Sequence, residues 1–82
     1  MRMMASITYD SAQREVIAPL IPAEQARVKE LMEQGLIDAL YIAADQSNAW
    51  LVMQGESQEQ IQQALDSLPL SPYATVHVTP IV

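Results

Sequence analysis

Few side chains in this sequence could move a proton, and the clearest of them is a histidine near the C-terminus. His77 is the only histidine in the chain, and histidine is the side chain that most readily exchanges a proton near neutral pH. As a general acid or base it would need a partner carboxylate and a substrate proton within ~3 Å. No acidic residue neighbours it in sequence, so Asp10, Asp38 and Asp45 could approach it only through the fold. A catalytic role and a structural role for His77 both stay open.

The last predicted strand, 73–79, alternates apolar and polar side chains with a period of two residues. Its polar side carries Tyr73, Thr75, His77 and Thr79. The polar side of the first strand carries Ser6 and Thr8, and these two strands should be neighbours in the sheet. The residues that we expect to line a small-molecule pocket beside His77 are Ser6, Thr8, Tyr73 and Thr75. The alternative is that these are β-favouring residues on a half-wet sheet face.

Hydrophobic periodicity and turn residues predict six main elements and one short extra helix. In chain order these are a strand at 3–9, a short helix from Asp10 to Pro19, a helix from Pro22 to Gly35, strands at 36–44 and 49–54, a helix from Ser57 to Leu68, and a strand at 73–79. This βαββαβ order is typical of the α+β, ferredoxin-like fold. We therefore expect a four-stranded antiparallel sheet of order 4-1-3-2 with both main helices on one face.

Two further expectations concern how the faces of these elements are covered. The strand at 36–44 is apolar on both sides apart from Asp38, which predicts cover on both faces. Two oppositely charged pairs on the helix from Pro22 to Gly35 are interpreted as solvated surface charges. These pairs are Glu24 with Arg27 and Lys29 with Glu33.

Composition excludes several classes of function. The chain has 82 residues, no cysteine and a net charge of −6 with only four basic residues. Scattered basic residues argue against nucleic-acid binding, and the lack of cysteine excludes disulfides and disfavours a zinc site. No nucleophile motif, phosphate-binding glycine loop, signal peptide or membrane span is apparent. We expect a single cytoplasmic domain, residues 1–82, without metal or cofactor, that gains stability by self-association.

One stretch resembles a known family. Leu68-Pro69-Leu70-Ser71-Pro72-Tyr73 is similar to the L-P-L-x-P-Y signature of the muconolactone Δ-isomerase family, and the likeness extends from Gly35 to Val78. The resemblance implies a ferredoxin-like fold that forms a dimeric α/β barrel and a higher ring oligomer. It also implies an isomerase that moves a proton on a lactone without metal or cofactor.

The sequence departs from that family at the positions that the resemblance makes catalytic. Where the family pattern has an Arg on the second strand and a His in the hairpin turn, this chain has Ile42 and Gln46. Isoleucine cannot pair with a carboxylate, and glutamine cannot act as a base. His77 does not occupy the place of the family's histidine.

Three hypotheses follow from these observations. The first is a cofactor-free proton-transfer enzyme for a small organic acid or lactone, using His77 in a pocket between two sheets. The second is a small-molecule binding module without turnover, and the third is an accessory dimerisation module. A cavity beside His77 would favour the first two hypotheses, and a barrel filled by side chains would favour the third.

Overall fold

The computed structural model describes residues 1–82 and contains four strands and three α-helices. The elements are β1 (Arg2–Tyr9), α1 (Arg14–Ile17), α2 (Ile21–Glu33), β2 (Ile37–Ile42), β3 (Asn48–Gln54), α3 (Gln58–Asp66) and β4 (Ala74–Ile81). Short 3-10 turns lie at Ser11–Gln13, Ala18–Leu20 and Ser71–Tyr73. None of the helices combines the length and the apolar character that crossing a bilayer requires.

The four strands form one antiparallel sheet in the order β2-β3-β1-β4. This is the predicted 4-1-3-2 order viewed from the opposite edge, so the ferredoxin-like α+β fold is confirmed. Strand β1 lies in the interior of the sheet and pairs with β3 on one side and β4 on the other. The predicted dimeric barrel requires a second copy of the chain and stays a prediction.

The hydrophobic core lies on the face of the sheet that the helices cover. Alternate residues of β1 point into it, namely Met3, Ala5 and Ile7, as the alternation of the sequence predicts. Helix α2 contributes Leu31, and α3 contributes Ile61, Ala64 and Leu65. The opposite face, called here the open face, has no cover within the monomer. Its three rows from Met4 to Thr8 comprise Met4, Ser6, Thr8, Ala39, Tyr41, Asn48, Trp50, Val52, Thr75, His77 and Thr79.

Strand β2 differs from the prediction in its length and its exposure. It ends at Ile42. The exposed fractions of Tyr41 and Ile42 are 60% and 59%. The prediction that both faces of this strand are covered is therefore wrong for the monomer. The physical reason is that β2 is an edge strand on a sheet whose helices pack against one side only.

The segment between β1 and α2 is more continuous than predicted. Pro19 was expected to end the short helix, but a 3-10 turn at Ala18–Leu20 carries the chain directly into α2. Pro19 and Pro22 both stand in the first turn of a helical segment, where the missing backbone N–H has no helical partner to lose. Asp10 caps the start of this segment, and its side chain accepts a hydrogen bond from the backbone N–H of Ala12 at 3.0 Å.

Candidate active site

The predicted polar residues of β1 and β4 lie opposite one another on the open face. Ser6 is the register partner of His77, and Thr8 is the register partner of Thr75. On its other side Ser6 faces Trp50, which in turn faces Tyr41 on β2. A single row of side chains thus crosses all four strands in the order Tyr41, Trp50, Ser6, His77.

The predicted ligand-binding residues nevertheless divide into two groups. Thr8, Tyr73 and Thr75 line a surface hollow of about 310 Å³ together with Asp10, where β4 begins. Ser6 and His77 do not line this hollow. The Thr8 hydroxyl also accepts a hydrogen bond from the Asn48 amide Nδ2 at 2.9 Å, so it is already engaged within the monomer.

His77 has no carboxylate partner within the monomer. Its side chain is exposed and takes part in no hydrogen bond or ion pair. Asp10 caps its own turn, and Asp38 lies 3.7 Å from Arg2. Asp45 accepts hydrogen bonds from the hydroxyl and the backbone N–H of Ser47, which hold the pKa of that carboxyl below its usual range. Asp45 therefore shapes the hairpin turn.

A cavity of about 200 Å³ lies on the other side of the sheet, between α2 and the strands. We call it the α2 cavity. Nine of the twelve residues that line it are hydrophobic, including Ile7, Val28, Met32, Leu40, Ile42 and Leu51. An apolar cavity of ~150 Å³ holds a benzene molecule, so the α2 cavity has room for a single ring with a substituent. The sequence pattern does not predict this cavity.

Glu24, in the first turn of α2, is the one buried charged residue of the protein and lines this cavity. Its side-chain oxygen Oε1 accepts a hydrogen bond from the backbone N–H of Leu70 at 3.2 Å. Burial raises the pKa of the Glu24 carboxyl above its ordinary value, and the hydrogen bond from Leu70 offsets part of that rise. A carboxyl in such surroundings holds its proton closer to neutral pH and can both accept and return one.

The prediction that Glu24 is a solvated partner of Arg27 is therefore wrong. Arg27 instead contacts Glu30 at 3.1 Å and the hydroxyl of Ser67 at 3.0 Å. A signal in the sequence could have shown this, because Glu24, Val28 and Leu31 follow the i, i+4, i+7 spacing of one helix face. The position of Glu24 on this apolar stripe is consistent with its burial.

Tyr9 is the second ionisable side chain that is influenced by this environment. Burial and, to a lesser extent, the negative charge of Glu24 raise the pKa of the Tyr9 phenol. The phenol therefore keeps its proton and can donate a hydrogen bond. Tyr9 lines both the α2 cavity and the hollow beside Tyr73, so it lies between the two spaces.

Lys29 and Ile42 also line the α2 cavity, one with a charged side chain and the other with an apolar one. The predicted Lys29–Glu33 pair is absent from the ion pairs of the structure, which join Arg2 to Asp38 and Arg27 to Glu30. Ile42 lies opposite Ala49, on the helix side of the sheet. No group of three or more His, Cys, Asp or Glu side chains is arranged to hold a metal ion.

Comparison with known proteins agrees with this architecture. The model of the muconolactone delta-isomerase family matches residues 1–82. The chain belongs to this family. The resemblance inferred from the stretch Leu68–Tyr73 is thereby confirmed, and this muconolactone isomerase-family protein carries its buried Glu24 directly against that stretch.

Among solved structures, one similar protein is the 5-chloro-2-hydroxyhydroquinone dehydrochlorinase TftG from Burkholderia phenoliruptrix AC1100, in complex with 2,5-dihydroxybenzoquinone. The TM-score is 0.82 at 15% sequence identity, and the match covers 100% of this chain and 94% of that chain. At this identity the likeness shows the fold. A search of curated proteins finds no significant match.

Proposed function

We propose that this protein is a cofactor-free enzyme that transfers a proton on a small organic acid or lactone, and that the reaction takes place in the α2 cavity. The observation that carries the proposal is Glu24, a buried carboxyl with a raised pKa at the wall of an apolar cavity. Membership of the muconolactone delta-isomerase family supports the same class of chemistry.

In the proposed reaction the Glu24 carboxylate removes a proton from a carbon next to a carbonyl group. The electron pair of the broken C–H bond moves into an enolate, and the double bond shifts along the conjugated system. The Glu24 carboxylic acid then returns the proton to the far end of that system, so atoms and charge balance without a cofactor. A base whose pKa lies nearer the working pH performs both steps more efficiently than an ordinary carboxylate.

Tyr9 is proposed to stabilise the enolate. A neutral phenol at an apolar cavity can donate a hydrogen bond to an oxygen on which negative charge develops. The raised pKa of Tyr9 supports this role, because the phenol stays protonated while Glu24 is charged. Tyr9 and Glu24 thus supply the donor and the base that an enolising reaction needs.

His77 keeps its predicted catalytic role as a second, separate proposal, with Ser6, Thr8, Tyr73 and Thr75 as its predicted ligand-binding neighbours. Strand pairing that sets Ser6 against His77 supports that arrangement. A site there would need groups from a second copy of the chain, since His77 has no partner carboxylate in the monomer. The absence of any turnover would favour the non-catalytic alternative, a small-molecule binding or dimerisation module.

Self-association through the open face is part of the same proposal. The open face carries no Asp, Glu, Lys or Arg in the three successive rows of side chains that cross the sheet at Met4, Ser6 and Thr8. Trp50 and Tyr41 are 36% and 60% exposed there. Centres of protein interfaces are depleted of charge and enriched in Trp and Tyr, so a second copy can cover this face without burying unpaired charges.

The experiment is a turnover assay with a panel of unsaturated lactone acids and hydroxyquinones, comparing wild type with Glu24→Gln. Glu33→Gln is the matched control, because it makes the same chemical change at an exposed position of the same helix. Loss of one general acid–base group lowers rates by ~10²–10⁴-fold. We expect a loss of at least about a hundredfold in Glu24→Gln and none in Glu33→Gln. Equal rates in the two variants would reject the proposed role of Glu24.

A further inference from the structure

The basic residues of this protein are few, and only one of them lies at the α2 cavity. Of the four, Arg2 is 3.7 Å from Asp38 and Arg27 is 3.1 Å from Glu30. Arg14 and Lys29 take part in no ion pair, and Lys29 alone lines the cavity. A positive charge left free at the boundary of an apolar cavity in a chain of net charge −6 is available to a ligand.

The helix places this cation at a useful separation from the proposed base. Lys29 follows Glu24 by five residues on α2, which corresponds to about 7.5 Å along the helix axis. Glu24 is buried, whereas Lys29 is exposed. The cavity is therefore lined by a buried acidic residue and an exposed basic residue, together with apolar side chains such as Val28.

We propose that Lys29 is the positioning residue for the substrate and selects a single-ring organic anion. This inference rests on the proposed function, since it adds an orientation to the site that contains Glu24. The anionic group of the ligand lies at Lys29, on the solvent side, and the ring enters the apolar space. Such an orientation directs the ring carbons towards Glu24 and keeps the two negative charges apart.

Because β2 contributes Ile42 to the cavity, Lys29 is the one cationic residue in the cavity lining. Ile42 lines the same cavity from β2 and offers no charge. Glu24 would repel an anion that entered with its charged group first, and no cationic side chain on the strands that line the cavity counters that repulsion. Recognition of the anion in this protein therefore depends on α2, the same helix that carries the base.

The test is a pair of ligands that differ in charge and have nearly the same shape, benzoate and benzamide. Their binding is followed by the ¹H–¹⁵N chemical shifts of wild type, Lys29→Gln, Lys29→Arg and Arg14→Gln at low ionic strength. Arg14 is the matched control, as the other cation without an ion pair, and it does not line the cavity. No turnover is needed, so the result is independent of whether Glu24 is a catalytic residue.

We expect wild type to bind benzoate about three- to fivefold more tightly than benzamide, the size of one partly exposed ion pair. Lys29→Gln should lose this preference, and Lys29→Arg and Arg14→Gln should keep it. The shifts should centre on Val28, Leu40 and Leu51, and added salt should reduce the preference. A preference that survives Lys29→Gln, or the absence of benzoate-dependent shifts at the cavity, would overturn the assignment. Glu24→Gln should bind benzoate at least as tightly as wild type, so loss of turnover in that variant reports on the proposed function alone.

Discussion

The side chain of Glu24 accepts a hydrogen bond at 3.2 Å from the backbone N–H of Leu70, a residue 46 positions away. The contact joins the first turn of α2 to the connection between α3 and β4. Leu70 is itself buried and follows Pro69, in a stretch that cannot continue the helix. The stretch Leu68–Tyr73 thereby supplies the backbone N–H donor that holds the proposed base, Glu24, in place.

The first prediction concerns stability as a function of pH. The pKa of Glu24 is higher in the folded protein than its ordinary value of 4.5, so folding disfavours the charged carboxylate. Its stabilising contribution is complete below pH 4.5 and is lost as the pH rises through the folded-state pKa. We expect Glu24→Gln, which is neutral at every pH and keeps an acceptor for Leu70, to be more stable than wild type near pH 7.

Denaturant unfolding at a series of pH values measures this effect. The difference in free energy of unfolding between Glu24→Gln and wild type should grow from near zero at pH 4 as the pH rises. Glu33→Gln should show no such trend, because Glu33 is exposed. A difference that is constant with pH would contradict the assigned environment of Glu24.

The second prediction concerns two residues with positive φ. Gly35 has a φ of 79° after α2, and Gln46 has a φ of 63° in the turn between β2 and β3. Residues other than glycine adopt this backbone conformation at a cost of about 1–2 kcal/mol. A Cβ at Gly35 would meet no atom within 4 Å, so Gly35→Ala tests backbone strain without a steric clash.

We expect Gly35→Ala to lower the free energy of unfolding by about 1 kcal/mol, and Gln46→Gly to raise it by roughly 0.5 kcal/mol. A change of 1 kcal/mol corresponds to a shift in Tm of roughly 4–8 °C for a domain of this size. Calorimetry of the two variants should therefore show shifts of opposite sign. Shifts of the same sign would be inconsistent with the backbone conformation described.

Gly35 and Glu24 illustrate what the sequence could and could not predict. Gly35 was predicted to end α2, since glycine after an amphipathic stripe is a strong local signal. The sheet order and the pairing of Ser6 with the last strand followed from alternation and element order, which depend on short-range patterns. The raised pKa of Glu24 depends instead on burial in the folded chain, and its hydrogen-bond partner Leu70 is 46 residues away. Periodicity could therefore indicate the helix face of Glu24 but not the cavity that it lines.

The third prediction concerns the open face. Trp50→Glu places a charge at the centre of the row that runs from Tyr41 to His77. If a second copy covers this face, burial of an unpaired charge should shift the protein to monomers. Sedimentation equilibrium should detect this shift, and Gln63→Glu, an exposed position on α3, is the control that adds the same charge. Identical oligomeric states in the two variants would exclude the open face as the interface.

The fourth prediction concerns the volume of the α2 cavity. Val28→Phe should fill part of the roughly 200 Å³ that Val28 lines, and so should block benzoate binding and turnover. Because the added atoms enter empty space, the usual cost of ~1–3 kcal/mol for overpacking a filled core should not apply. Val16→Phe, at an exposed position, is the control. Titration and thermal unfolding measure the two effects, and unchanged binding in Val28→Phe would place the ligand elsewhere.

The most direct test of the central claim compares the two proposed bases in one assay. Deuterium incorporation from D₂O into a lactone acid, next to the carbonyl or at the far end of the conjugated system, reports abstraction of a proton, its exchange with solvent on the base and the return of a deuteron. We expect Glu24→Gln to lower the incorporation rate by at least about a hundredfold, and His77→Gln to leave it within about twofold of wild type. Incorporation that persists in Glu24→Gln and disappears in His77→Gln would contradict the assignment of the reaction to the α2 cavity.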